Sequence, residues 1–90
     1  MNKARRGCLV VVAFILIVTK PGCRDEVYGK LKDNPVVREV YEVYGGYDVI
    51  VRIEVEDIKE LDDFRNSVLR KIGKEVEMTE TVIVRGGVNG

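Results

Sequence analysis

The stretch Tyr44-Gly45-Gly46-Tyr47-Asp48 carries the residue types best suited to chemistry in this chain. Glycine lets a backbone approach a ligand closely, and the N–H groups of a glycine turn can hold a carboxylate. Tyr47 adds an aromatic ring, and Asp48 adds a negative charge for an ammonium group. A free amino acid requires both complements together. On spacing alone, an ordinary hairpin turn, with Tyr47 packed and Asp48 capping the backbone, is the favoured interpretation.

The sequence lacks the common catalytic motifs. It has no histidine, and it contains no G-x-S-x-G, P-loop or dinucleotide-binding pattern. Cys23 lies near the start of a predicted helix, but no histidine can act as its base. Asp62 and Asp63 are neighbours on a predicted helix and therefore point in different directions. We predict no catalytic residue, no metal site and no cofactor.

The composition limits the class of protein further. Fifteen basic and fifteen acidic residues cancel, so no basic excess indicates direct binding of nucleic acid. The two cysteines form no C-x-x-C pair, which favours free thiols in a reducing cytoplasm. Charged residues make up 33% of the chain, and glutamine is absent; both features are typical of thermophiles. A 90-residue domain buries only roughly 60% of its unfolded surface, which favours oligomerisation.

An apolar run from Cys8 to Val18 follows a basic start. Such a run is typical either of a signal peptide or of a buried strand. It is shorter than the roughly 20 residues that span a bilayer. Thr19-Lys20-Pro21-Gly22 follows it, where a signal peptide would have small residues for cleavage. We predict a strand, and neither membrane attachment nor secretion.

Hydrophobic periodicity predicts six elements. The limits of these elements are predicted from the residue that precedes each proline and from the paired glycines. Asp57 with Glu60 has the spacing of a capping box, and Gly73 lies where a left-handed helix cap is expected. The elements are a strand at Val10–Thr19, a helix from Cys23 to Lys32, strands at Val36–Tyr44 and Tyr47–Val55, a helix from Asp57 to Ile72, and a strand at Thr79–Arg85.

This order predicts an α+β, ferredoxin-like βαββαβ domain at 10–85, flanked by an extension at 1–9 and a flexible tail at 86–90. Right-handed crossovers place both helices on one face of a four-stranded antiparallel sheet. The first strand is apolar on both faces, so the second face must be covered. We expect a second copy to cover it, sheet against sheet. The alternative cover is the N-terminal extension.

From Ala13 to Val84 the chain resembles the ligand-binding domain of the Lrp/AsnC transcription regulators, also called the regulation-of-amino-acid-metabolism domain. The G-x-Y-D hairpin combined with a T-x-T last strand is the more specific part of the resemblance. The matching pieces are Ala13-Phe14-Ile15-Leu16-Ile17, Val36-Val37-Arg38-Glu39-Val40-Tyr41, Gly45-Gly46-Tyr47-Asp48-Val49-Ile50-Val51, Asp57-Ile58-Lys59-Glu60-Leu61-Asp62-Asp63-Phe64 and Thr79-Glu80-Thr81-Val82-Ile83-Val84.

The resemblance implies a dimeric α/β barrel formed by two facing sheets, with dimers often joined into rings of eight. It also implies that an amino-acid effector binds between dimers. The ligand contacts carried over by position are Gly45, Gly46, Tyr47, Asp48, Thr79 and Thr81. Full-length members add a DNA-binding helix-turn-helix, which residues 1–9 are too short to form. We therefore expect a stand-alone sensor that binds an effector or assembles with a full-length Lrp/AsnC regulator.

Two other functions fit the same topology. An oligomerisation or interaction domain would keep the fold but leave the ligand site empty. A small oxygenase of the dimeric α/β-barrel type would share the strand order. Because such enzymes often depend on a histidine or a haem pocket, the missing histidine counts against this reading. We predict a regulatory domain that is not an enzyme.

Overall fold

The computed structural model describes residues 11–84, which form a single α+β unit. Val10, Arg85, the predicted extension at 1–9 and the predicted tail at 86–90 lie outside this range. A short 3₁₀ turn at Gly73–Glu75 joins the second helix to the last strand. The elements are β1 (Val11–Thr19), α1 (Arg24–Lys32), β2 (Val37–Glu42), β3 (Val49–Val55), α2 (Ile58–Ile72) and β4 (Val76–Val84).

The four strands form one antiparallel sheet in the order β2-β3-β1-β4. β1 and β3 lie in the centre, which confirms the ferredoxin-like prediction. Ile15 marks the middle of the sheet, since it lies opposite Val51 of β3 and Thr81 of β4. The part of the apolar run that the structure describes, from Val11 onward, is therefore a central strand.

The inner face of the sheet carries both helices. Alternate residues of β1 and β3 are buried there, because successive side chains of a strand point to opposite faces. The helices meet them with residues spaced three or four apart, as one helical stripe requires. The resulting core consists of Ala13, Ile15, Ile17, Val27, Leu31, Val49, Val51, Ile53, Val55, Leu61, Phe64, Val68 and Ile72.

The outer face of the sheet has two unlike halves. One row across it runs Tyr41, Ile50, Leu16 and Glu80, from β2 to β4. The half on β1 and β4, which we call the apolar half, contains Val12, Phe14, Leu16, Val18, Met78, Val82 and Val84, with Glu80 as its one charged residue. The half on β2 and β3, which we call the charged half, contains Glu39, Tyr41, Arg52 and Glu54 together with the apolar Ile50.

The second helix begins as predicted but ends differently. Asp57 Oδ1 accepts a hydrogen bond from the Glu60 backbone N–H at 2.8 Å, and Glu60 Oε1 accepts one from the Glu56 N–H at 2.7 Å. The left-handed conformation expected at Gly73 is wrong, since its φ is −55°. The chain instead tightens into the 3₁₀ turn, in which the Gly73 N–H donates to the Leu69 carbonyl and the Val76 N–H donates to the Gly73 carbonyl.

Three strand limits differ from the prediction by two or more residues. β2 ends at Glu42, β3 begins at Val49, and β4 begins at Val76. The hairpin is therefore wider than its two glycines suggest, and β4 follows directly from the 3₁₀ turn. Neither helix within residues 11–84 is long and apolar enough to cross a membrane.

Candidate functional site

The β2–β3 hairpin is anchored to the end of β1. Gly45 has a φ of +139°, a conformation that residues with a side chain rarely adopt. The Val43 N–H donates to the Asp48 carbonyl at 2.9 Å, and the Asp48 N–H donates to the Ile17 carbonyl at 2.8 Å. The predicted turn is thus held in place from both sides.

The Asp48 carboxylate is fixed by Thr19. Its Oδ2 atom accepts hydrogen bonds from the Thr19 backbone N–H at 2.8 Å and from Thr19 Oγ1 at 3.2 Å. Among residues 11–84 no hydrogen bond reaches its Oδ1 atom. A carboxylate held by one oxygen keeps the other available for a ligand.

A cleft of about 350 Å³ opens beside Asp48, between the hairpin and the β1–α1 turn. Gly22, with a φ of +81°, reverses the chain at its rim. Its lining contains two cations, Lys20 and Arg24, and two anions, Asp25 and Asp48. The cleft can therefore complement a small ligand that carries charges of both signs. Its full lining is Thr19, Lys20, Pro21, Gly22, Arg24, Asp25 and Asp48.

Arg24 links this cleft to the hairpin. Its guanidinium carbon lies 5.0 Å from the centre of the Tyr44 ring, within the range of a cation–π contact. Its Nη1 atom also approaches the Val43 carbonyl at 3.5 Å, a long hydrogen bond. The start of α1 and the hairpin therefore form one wall of the cleft.

Asp25 and Glu42 form a pair of carboxylates at the same end of the sheet as the cleft. Hydrogen bonding to Asp25 raises the pKa of Glu42, with smaller contributions from burial and charge repulsion. The two side chains come from α1 and β2. Their proximity makes the environment of Asp25 more negative than the cleft lining alone suggests.

Tyr47 points away from the face predicted for it. The alternation of the sequence placed Tyr47 on the same face as Val49, Val51, Ile53 and Val55. Its hydroxyl instead donates to Glu80 Oε1 at 2.6 Å, and this hydrogen bond raises the pKa of Tyr47. Glu80 lies on the outer face, opposite Leu16. The prediction fails because Tyr47 precedes β3, where the strict alternation of a strand does not apply.

Thr79 and Thr81 lie apart from the cleft. They are opposite Ile17 and Ile15 of β1 and share the inner face with them. Since β1 separates them from the hairpin, Thr79 and Asp48 are about 10 Å apart, or two strand spacings. The depression beside them has a volume of about 10 Å³, enough for roughly one water. Its lining is Ile15, Arg65, Val68, Leu69, Thr79 and Thr81.

The six predicted residues therefore do not form one pocket within a single chain. Asp48 lines the cleft but Gly45 and Gly46 do not. Tyr47 reaches the outer face, and the two threonines face α2. The prediction missed Lys20, Arg24 and Asp25. The Pro21-Gly22 turn followed by a charged helix start was the available signal, but only the folded chain brings it next to Asp48.

The geometry defines a small βαββαβ domain with a charged cleft, and comparison with known proteins gives its family. Residues 12–86 match the model of the Lrp/AsnC ligand binding domain. This chain belongs to that family.

Three relatives illustrate the similarity. The HTH-type transcriptional regulator FL11 of Pyrococcus furiosus is 43% identical over 74 residues, which cover 82% of this chain and 48% of the regulator. The crystal structure of FFRP-DM1 has 47% identity and a TM-score of 0.75, covering 82% of this chain and 97% of that one. The hypothetical protein PHS023 of Pyrococcus horikoshii has 45% identity and a TM-score of 0.76, covering 86% and 92%.

This chain spans about half the length of the curated regulators that it matches. Those relatives are transcriptional regulators and not enzymes, in agreement with the prediction. Their source, the thermophilic genus Pyrococcus, also agrees with the composition.

Proposed function

We propose that this chain is an effector-binding module for transcription regulation, and that its effector is a free amino acid. The observation that carries the proposal is the cleft beside Asp48, which places two cations and two anions around one opening. Lys20 and Arg24 would bind the α-carboxylate, and Asp48 would accept from the α-ammonium group through Oδ1. The volume of about 350 Å³ lies at the small end of ligand pockets, which span roughly 300–1,000 Å³.

The other predicted ligand contacts can take part in the effector site only when copies of the chain assemble. Gly45 and Gly46 belong to the hairpin that positions Asp48 but do not line the cleft. Thr79 and Thr81 do not line this cleft, so they would contact an effector bound to a neighbouring copy. A site between dimers, as in the proposed ring of eight, would use both groups of residues.

Self-association is the second part of the proposal. Met78, Val82 and Val84 of β4 are 49%, 42% and 40% exposed. With the half-buried Phe14, Leu16 and Val18 they form a continuous apolar surface. Surfaces of this kind on soluble proteins are usually interaction sites. A second copy packed sheet to sheet would cover it, and a full-length Lrp/AsnC regulator offering the same face would be an equivalent partner.

Isothermal titration with each of the twenty amino acids tests the effector. We expect binding by one or a few of them. Asp48→Asn should weaken that binding by about 1–3 kcal/mol, since it removes the charge that holds the ammonium. Asp62→Asn is the matched control, because Asp62 is exposed on α2 and, among the described residues, is hydrogen-bonded only to Arg65. Equal affinities of the wild type and Asp48→Asn would remove Asp48 from the site.

An assembly domain without an effector is the second candidate, and one observation favours it. The Asp48 carboxylate already caps the end of β1 through Thr19, which gives it a structural role. Normal oligomers with no heat of binding for any amino acid would support this candidate over the first.

A further inference from the structure

Tyr44 is the most exposed large apolar side chain within residues 11–84, with 91% of its surface in water. Its ring nevertheless makes one specific contact, since the guanidinium carbon of Arg24 lies 5.0 Å from the ring centre. A ring that stays in water removes little apolar area from solvent and so adds little to the stability of the fold. The contact therefore matters chiefly for where the guanidinium lies.

The Arg24 side chain is held by two uncharged groups. One is the face of the Tyr44 ring, and the other is the Val43 carbonyl, which Nη1 approaches at 3.5 Å. Among residues 11–84, Arg24 forms no ion pair with a carboxylate, and its Nε and Nη2 atoms donate no hydrogen bond. The side chain is thus oriented while its charge and two of its donor atoms stay available for an anion.

Lys20, the other cation of the cleft, has no such support. Within the described part of the chain, its ammonium group forms neither a hydrogen bond nor an ion pair. A lysine is a point charge on a flexible four-carbon stem, whereas the planar fork of an arginine matches the two oxygens of a carboxylate. Arg24 is therefore the cation of the cleft whose geometry is fixed before a ligand arrives.

Building on the proposed amino-acid effector, we propose that Tyr44 is a positioning residue, whose ring holds the Arg24 guanidinium where it binds the α-carboxylate of the amino acid. Tyr44 is outside the cleft lining and acts through Arg24 alone. Lys20 adds a second positive charge without a fixed direction. Holding a binding group in place raises affinity, because less side-chain freedom is lost when the ligand binds.

Isothermal titration of variants tests this role. The amino acid that binds the wild type most tightly among the twenty is titrated into each variant. Tyr44→Leu removes the ring face, and we expect the dissociation constant to rise about two- to fivefold, which corresponds to an exposed cation–π contact. Tyr44→Phe is the matched control, because it keeps the ring face. It should change the constant by less than about twofold.

Two further measurements separate positioning from a general structural effect. In an Arg24→Gln background, Tyr44→Leu should have no further effect on affinity, since the ring acts only through the guanidinium. The NMR signal of the Arg24 Nε–H, recorded without any amino acid, should be shifted by the Tyr44 ring. Tyr44→Leu should remove that shift, and Tyr44→Phe should retain it.

The outcomes separate this role from the function on which it rests. If none of the twenty amino acids binds the wild type, the proposed effector is overturned and the role of Tyr44 with it. Wild-type binding that Tyr44→Leu leaves unchanged, or that Tyr44→Phe weakens as much, would overturn only the role of Tyr44. Additive losses in Arg24→Gln and Tyr44→Leu would do the same. Circular dichroism confirms that each variant is folded.

Discussion

The Oδ2 atom of Asp48 accepts two hydrogen bonds from Thr19, one from its backbone N–H at 2.8 Å and one from its hydroxyl at 3.2 Å. The two residues are 29 positions apart in the sequence. This contact joins the end of β1 to the hairpin and forms one side of the cleft. The geometry of the proposed effector site therefore depends on the same bonds that hold the sheet together at this end.

Thr19→Val removes the hydroxyl but keeps the shape and the backbone donor. We expect the free energy of unfolding to fall by about 1 kcal/mol, the usual net value of one such hydrogen bond. Urea denaturation measures the change, and Thr19→Ser should retain most of the stability. A loss as large in Thr19→Ser as in Thr19→Val would mean that the hydroxyl contributes little.

Phe64→Ala tests the packing of α2 on the inner face. Phe64 is 6% exposed and belongs to the core, so its truncation should lower the free energy of unfolding by about 3–5 kcal/mol. Leu69→Ala is the control on the same helix, because Leu69 is 40% exposed. We expect that change to cost about 1 kcal/mol or less. Similar losses for both variants would contradict the observed orientation of α2.

The Glu39–Arg52 pair predicts a defined pH dependence. Hydrogen bonding to Arg52, then to Tyr41, lowers the pKa of Glu39 from its usual 4.5. A lowered pKa in the folded state stabilises the protein above the unfolded pKa, and this stabilisation is lost as the pH falls through the folded value. The wild type should therefore have a higher Tm than Glu39→Gln at neutral pH. This Tm difference should shrink below pH 4.5.

The control for this pH series is Glu77→Gln, which alters an exposed acid on β4. Its Tm difference from wild type should stay nearly constant over the same range. A Glu39→Gln difference that grows towards acid pH would contradict the ion pair on the outer face.

Much of the fold could be predicted because period-two and helical patterns decide which residues are buried. The alternation of β3 and the stripe of α2 led directly to the observed core. The end of α2 at Gly73 could not be predicted in the same way, since a glycine permits a left-handed cap without requiring one. The 3₁₀ turn has partners distant in the sequence, since the Lys20 N–H donates to the Glu75 carbonyl at 2.8 Å and Lys30 Nζ lies 3.2 Å from Glu75 Oε1.

The candidate site was less predictable because it is assembled from distant segments. The hairpin glycines and Asp48 could be recognised from spacing alone. Lys20 and Arg24 join them only because β1 ends beside the hairpin. The direction of Tyr47 depends on Glu80, two strands away across the sheet, which no local pattern encodes.

The mass of the protein in solution tests the central claim most directly, since the interface and the site between copies both require self-association. One copy has a mass of 10.2 kDa. Sedimentation velocity at micromolar concentration should give at least twice this mass, with no appreciable monomer. A single species of 10.2 kDa at that concentration, with its outer face in water, would contradict the account.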